Sequence, residues 1–250
     1  MKNSANEIKE YLTSLWYDAS YSNSDQTKGI EEPACFKEIP INKKRIDLID
    51  IDQLRDLCKK SAFETIFERR SIRKFQKDEA IKKNELSYLL FCTQGIKDKN
   101  RPRYRTSPTG GAKCSIETYI YIDNAENIEP GLYLYLPMEH KLVNIHNRNT
   151  DEFKRCLYPG NYFYSPITFI WTTIPYRLEW KYVERSYKIL LLDAGHTCQN
   201  LYIACHSIGL GTCAVGAYRQ KEMDSFLEVD GDKEFSVYCA PVGKPIGNNS

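Results

Sequence analysis

Long apolar runs are missing from this chain of 250 residues. The longest candidates, 167–171 and 189–192, fall far short of the ~20 residues a membrane helix needs. The opening stretch MKNSANEIKEYLTSLW has no apolar core followed by small residues, so no secretion signal is read and the expected location is the cytoplasm. Charge of one sign is also missing. Thirty-five basic against 33 acidic side chains leave a net charge of +2, which supplies no overall field to gather nucleic acid or an anionic membrane. Paired cysteine spacing is absent: the nine cysteines, at 35, 58, 92, 114, 156, 198, 205, 213 and 239, include no C-x-x-C and form an odd total, which argues against a disulfide framework. Histidine is scarce, and His140, His146, His196 and His206 show neither H-E-x-x-H nor cysteine–histidine ligand spacing, so no metal site is expected. The thiols then read as reduced, mostly buried small hydrophobes.

The chain does hold 42% hydrophobic and 27% charged residues, the composition of a globular protein, and its length suffices for one large α/β domain. Residues 1–50 are polar, spotted with aromatics and irregular, with a short helical pattern at Ile8, Leu12 and Leu15 before the turn-rich SYSNSDQTKG. They read as an arm in front of a domain over 51–250. In that domain apolar spacing predicts helices over 52–68 and 78–94. Strands are expected over 118–122, 132–136 and 141–145, the last two as a hairpin. A buried strand over 166–174 precedes a long central helix over 186–208, carrying Leu190, Leu191, Ala194, Cys198, Leu201, Tyr202 and Cys205 and closed by Gly209 as a C′ glycine. A short strand over 213–215, a helix over 221–227 and a strand over 235–242 complete the pattern.

Four constellations could carry chemistry. In ERRSIRKF, Arg69, Arg70, Ser71 and Arg73 bring bidentate donors and a short hydroxyl together, a set suited to a phosphate, although a solvated basic turn would look the same. In RTSPTGGA, Pro108 fixes the backbone while Gly110 and Gly111 remove side chains, so a flat ligand can approach the main chain; an ordinary surface turn has similar punctuation. GLGTCAVG at 209–216 looks like a dinucleotide fingerprint but follows a helix and leads into a strand, the reverse of the Rossmann order, which excludes that reading. In WKYVERSY, Lys181 and Tyr182 are adjacent titratable groups among aromatics, a place where a lysine can be desolvated; a surface pair is the bland alternative.

In this order and spacing the pieces resemble the nitroreductase family, and within it the SagB-type dehydrogenases that include the azoline oxidases of microcin and streptolysin biosynthesis. The resemblance spans nearly the whole chain: WYDAS and CFKEIP in the arm, ERRSIRKF, RTSPTGGAKCSIETYIYI, GLYLYLPMEHKL, the segment from WKYVERSY to HSIGLG, and EFSVYCAPVGKP. It implies an α/β (α+β) FMN-binding fold, with a mixed central sheet flanked by helices around a long central helix, in a homodimer with the flavin at its interface. Arg69, Arg70, Ser71 and Arg73 would hold the FMN phosphate and ribityl chain. Pro108, Thr109, Gly110 and Ala112 would reach the flavin from the other subunit. Ala214, Val215 and Gly216 would line the isoalloxazine with backbone amides, and Gln199 and Asn200 would reach the cofactor or the dimer seam. Lys181 and Tyr182 match the catalytic pair of azoline oxidases.

Two departures stand out: Thr109 with the following KCS, where the family shows Ser and a more apolar run, and the end VGKPIGNNS, where Lys244 is the basic residue left to meet a phosphate. The implied activity is oxidation of thiazoline or oxazoline rings in a ribosomally made peptide. Lys181 or Tyr182 would take the ring proton, hydride would pass to the flavin and oxygen would reoxidise it. The implied partners are the modified precursor peptide and a cyclodehydratase complex, with neither nucleic acid nor membrane. Two alternatives stay open: a stand-alone NAD(P)H-dependent nitro- or ene-reductase, and a scaffold subunit of a peptide-modifying synthetase that uses Trp16, Tyr17, Tyr21 and Phe36 of the arm as anchors.

Overall fold

The structure, a computed structural model, describes residues 8–9, 12–13, 23–161 and 163–247. Leu15 and the arm aromatics Trp16, Tyr17 and Tyr21 lie outside the described residues. Phe36 lies inside them, half-buried, with the Arg105 guanidinium 5.0 Å from its ring centroid.

Among the described residues seven strands make one sheet in the order β1-β4-β3-β2-β5-β7-β6. They are β1 (Arg45–Asp47), β2 (Ile116–Ile122), β3 (Gly131–Leu136), β4 (Lys141–His146), β5 (Ile167–Thr173), β6 (Gly211–Thr212) and β7 (Phe235–Gly243). Every ladder between them is antiparallel. The parallel pairing that a mixed sheet calls for is confined to single bridges, Ser71↔Thr212 and Ile81↔Ala125. Helices α1 (Ala62–Glu68), α2 (Lys83–Gln94), α3 (Thr150–Arg155), α4 (Tyr176–Tyr182), α5 (Ser186–Ser207) and α6 (Gln220–Leu227) pack around the sheet. Among the described residues no helix is long and apolar enough to cross a membrane.

The two-residue period of the central strands divides the core in two. Along β2, Ile116, Ile120 and Ile122 face a cluster completed by Leu86, Leu89 and Leu90 of α2 and Ala194, Cys198, Leu201 and Cys205 of α5. Tyr119 and Tyr121 of the same strand face the opposite layer, with Phe153 of α3 and Met223, Phe226 and Leu227 of α6. Both faces of the sheet are therefore covered. Each fully buried side chain of this size contributes roughly 1.5–3 kcal/mol by leaving water. Seven of the nine cysteines are buried, Cys92 is partly so and Cys58 is exposed.

Helix α5 ends as its glycine predicts. Gly209 has φ +80°, its N–H donates to His206 O (3.3 Å), and Leu210 N–H donates to Cys205 O (2.8 Å), the paired bonds of a Schellman closure. The expected helix over 52–68 is broken. A 3-10 turn over Ile51–Leu57 is followed by α1, which starts at a new cap where Ser61 Oγ accepts from Glu64 N–H and Glu64 accepts from Ser61 N–H. The expected helix over 78–94 begins only at Lys83, because Ile81 is drawn into a bridge with Ala125 and buried. The short strand expected over 213–215 is β6, two residues earlier, with Val215 bridged to Cys239. Leu191, one of the apolar residues at helical spacing on α5, is 56% exposed. Helices α3 and α4 and strand β1 were not among the expectations.

Candidate active site

The candidate residues gather in two clusters, each organised by one side chain of α5. The first forms around Tyr202. Its hydroxyl accepts from Ala214 N–H (2.7 Å) and shares a hydrogen bond with Ser71 Oγ (3.2 Å), while the Arg69 guanidinium stands 5.2 Å from its ring centroid. The arginine–serine turn and the loop after β6 are thus joined by one phenol, and Ile72 N–H donating to Thr212 O (2.9 Å) ties their backbones. Burial is the main reason that the Tyr202 phenol titrates above its usual range, so it stays protonated. Arg70 folds back on the carbonyls of Phe67 and Arg69 and borders a cleft of about 360 Å³ with Lys60, Glu68 and His206. Arg73 is exposed. Lys244 is ion-paired with Glu79 (3.1 Å), on a segment whose backbone pairs with Gln76 beside the arginine turn.

Two of the three amides expected to face a flat ring are already engaged. Ala214 N–H goes to Tyr202, and Val215 N–H to Cys239 O (2.7 Å). Gly216 is exposed, and so is Gln199 on α5, whereas Asn200 Nδ2 donates to Cys92 O (3.0 Å).

The second cluster forms around Asp193. Its buried carboxylate accepts from Thr109 Oγ1 (2.8 Å) and from Gly110 N–H (3.0 and 3.1 Å), which fixes the glycine loop on α5. A side chain at Gly110 would run into Ile189, so the close approach requires glycine. Gly111 sits at φ +57° with the Tyr182 hydroxyl directly over it. Ala112 follows at φ +55°, and Pro108 is exposed. Lys181 Nζ lies 5.3 Å from the Tyr182 ring centroid. The next residue, Val183, has φ 48° and ψ −129°, a conformation that a β-branched residue adopts only when its surroundings impose it. Desolvation first, and the Asp193 charge second, push the Tyr182 phenol above its usual range; burial pushes the Asp193 carboxyl upward too, against its two donors.

Lys181, Tyr182, Thr109, Gly110 and Ala112 are therefore brought together, as are Arg69, Ser71 and Ala214, but the two groups remain apart. Nine residues of α5 separate Asp193 from Tyr202, about 13 Å at helical rise. The organising residues themselves were missed. The signal for Asp193 was a lone carboxylate on the apolar face of the central helix, since an aspartate is almost never buried there unless donors hold it. Among the described residues no three His, Cys, Asp or Glu side chains gather as metal ligands.

Comparison with known proteins gives this architecture a family. The family model described as the nitroreductase family matches residues 66–244, and the chain belongs to that family of oxidoreductases. It is 29% identical over 196 residues to a Methanocaldococcus jannaschii protein named as a nitroreductase, covering 78% of this chain and 96% of that one. It is 27% identical over 133 residues to the microcin B17-processing protein McbC of Escherichia coli, half of this chain and 49% of that one. Its fold is similar to a nitroreductase structure from Ralstonia eutropha (TM-score 0.71, 19% identity, 84% of this chain and 93% of that one). It is also similar to a chain in the E. coli microcin synthetase McbBCD complex with truncated pro-MccB17 bound (TM-score 0.65, 19% identity, 96% and 87%). Members of the family generally bind FMN. The donor set fits such a ligand: guanidinium and hydroxyl donors share one turn at Arg69–Ser71, and a loop cleared of side chains lies at Gly110 and Gly111.

Proposed function

We propose that this protein is an FMN-dependent dehydrogenase that oxidises thiazoline or oxazoline rings to thiazole or oxazole in a ribosomally made peptide, acting in the cytoplasm beside a cyclodehydratase. The observation that carries the reading is the meeting of Lys181 and Tyr182 with the glycine loop, in a chain similar to McbC. Arg69, Arg70, Ser71 and Arg73, with Lys244 near, would hold the phosphate and ribityl chain, and Ala214, Val215, Gly216 and Gln199 would border the ring. Pro108, Thr109, Gly110 and Ala112 would come from a second copy. The ~13 Å between the clusters supports that division, because a two-fold pairing along α5 sets the first cluster of one copy against the second cluster of the other. Exposed apolar side chains along the seam support it as well: Phe63 (75%), Phe67 (71%), Leu191 (56%) and Leu192 (52%) face outward from α1 and α5.

Bound FMN supplies the two-electron acceptor. The chain's part is proton handling and orientation. A phenol held above its usual range is protonated at neutral pH, so Tyr182 donates a hydrogen bond to the azoline heteroatom or peptide carbonyl and holds the ring still. Proton removal then falls to Lys181. Lys181→Ala should abolish turnover of a synthetic thiazoline peptide while the purified protein keeps its yellow cofactor; loss of FMN in that variant would remove Lys181 from the catalytic role. The 29% likeness to a protein named as a nitroreductase favours a second reading, an NAD(P)H-dependent nitro- or ene-reductase. Nicotinamide consumption with a nitroaromatic, and none of the thiazoline peptide, would select it.

A further inference from the structure

Helix α4 carries the Lys181–Tyr182 pair on only seven residues, too short to hold its shape alone in water. No side chain caps its N-terminus, and it ends in the unfavourable backbone of Val183. Arg177 anchors it on β2 through Glu117 (2.7 Å), Leu178 packs on Ile189 and Leu190, and the rest of its constraint comes from the arm. Tyr176 OH donates to Asp25 Oδ2 (2.9 Å) at the first turn. At the last turn, Gln26 N–H donates to Trp180 O (2.9 Å), supplying a partner for one of the carbonyls that a helix end leaves unpaired, and Trp180 Nε1–H donates to Ile30 O (2.9 Å). Lys113 Nζ lies 4.5 Å from the Trp180 ring centroid and 2.7 Å from Glu32 Oε1, an oxygen that Arg103 Nη1 also meets at 2.9 Å. Lys113 follows Ala112 of the glycine loop directly. One ion pair therefore links arm, loop and helix. Successive side chains leave a helix about 100° apart, so fixing the Trp180 indole fixes the direction in which Lys181 and Tyr182 leave it.

We propose that Trp180 is a positioning residue for the Lys181–Tyr182 pair, and that the arm segment 25–32 is the brace that holds it; this rests on the dehydrogenase reading above. Segment 25–32 of the arm thus belongs to the frame of the active site.

The test uses the full-length, FMN-loaded protein with Trp180→Phe, which keeps an aromatic ring and loses the bond to Ile30, and with Glu32→Gln. The probe is a synthetic thiazoline peptide. In both variants kcat falls about tenfold while KM and the FMN Kd stay within twofold, because the pair is displaced and nothing that binds is removed. Amide hydrogen exchange at 180–183 speeds up in parallel. If kcat stays within twofold of the wild type, or falls only in step with FMN affinity and unfolding midpoint, Trp180 is ordinary packing and the proposal fails. Unchanged exchange at 180–183 overturns the brace whatever the chemistry. Undiminished turnover in Lys181→Ala would overturn the dehydrogenase reading instead, and the exchange data would still decide on the brace.

Discussion

Adding one methyl group at Gly111 separates catalytic geometry from fold stability. The residue sits at φ +57°, where an L side chain costs about 1–2 kcal/mol. The new Cβ would also press on the Tyr182 phenol, overlapping its hydroxyl and standing 3.1 Å from Cζ and 3.3 Å from Cε2. The phenol must retreat by about 1 Å or more to regain an ordinary contact, and a misplacement of that size in a reacting group costs on the order of a hundredfold in rate. Gly160 provides the control. It has φ +91° and nothing within 4 Å of its would-be Cβ, so Gly160→Ala carries the backbone cost without the collision. Thermal melts should show both variants lowered, by about 2–4 °C for each kcal/mol in a chain of this size. Steady-state turnover of the thiazoline peptide should fall about a hundredfold in Gly111→Ala and hold in Gly160→Ala. Equal turnover in the two alanine variants would refute the assignment of Tyr182 to the reacting geometry.

Tyr202→Phe removes the acceptor for Ala214 N–H and the partner of Ser71, a loss of about 1–1.5 kcal/mol, and FMN affinity measured by fluorescence quenching should fall roughly five- to tenfold. A Kd within twofold of the wild type would show that the phenol does not set the spacing of the first cluster. Burial raises the Asp193 carboxyl above its usual 3.8, so the stability linked to it is fully present below that pH and is lost as pH climbs through the folded-state pKa. Asp193→Asn cannot ionise and escapes that loss. Denaturant melts should show the variant gaining on the wild type as pH rises above 3.8, whereas a gap independent of pH would contradict the sign.

The sheet and the long helix were legible because burial on one or both faces writes a period into the sequence: Ile116 to Ile122 on β2, Leu190 to Cys205 on α5, Gly209 as its stop. The errors have local causes. Ser61 and Glu64 spell a capping box that ends one element and starts another, a signal that the run of apolar residues across 52–68 overrode. Asn149 before Asp151 and Glu152, and Pro175 before α4, are helix starts of the same readable kind. The site was legible as residue types but not as a partition. Motif order grouped Arg69, Thr109, Lys181 and Ala214, and nothing in their spacing tells that Asp193 and Tyr202 divide them. That division depends on how far each loop returns along α5, which is a tertiary distance. Leu191 and Leu192 carry the matching lesson: helical spacing marks an apolar residue without saying whether its own chain covers it.

The distribution of the nine thiols turns the protein into a gauge of its own integrity. Only the thiolate attacks an alkylating or disulfide reagent, and burial pushes the Cys156 and Cys198 thiols up to about 12, so those two sulfurs are both shielded and unreactive. Cys58, alone in being exposed, is the first to be labelled in the native state. Each further equivalent of label then reports an opening of a particular layer: Cys198 and Cys205 under α5, Cys156 and Cys239 on the opposite side of the sheet. A mass spectrum taken during unfolding would read the order in which the two halves of the core come apart.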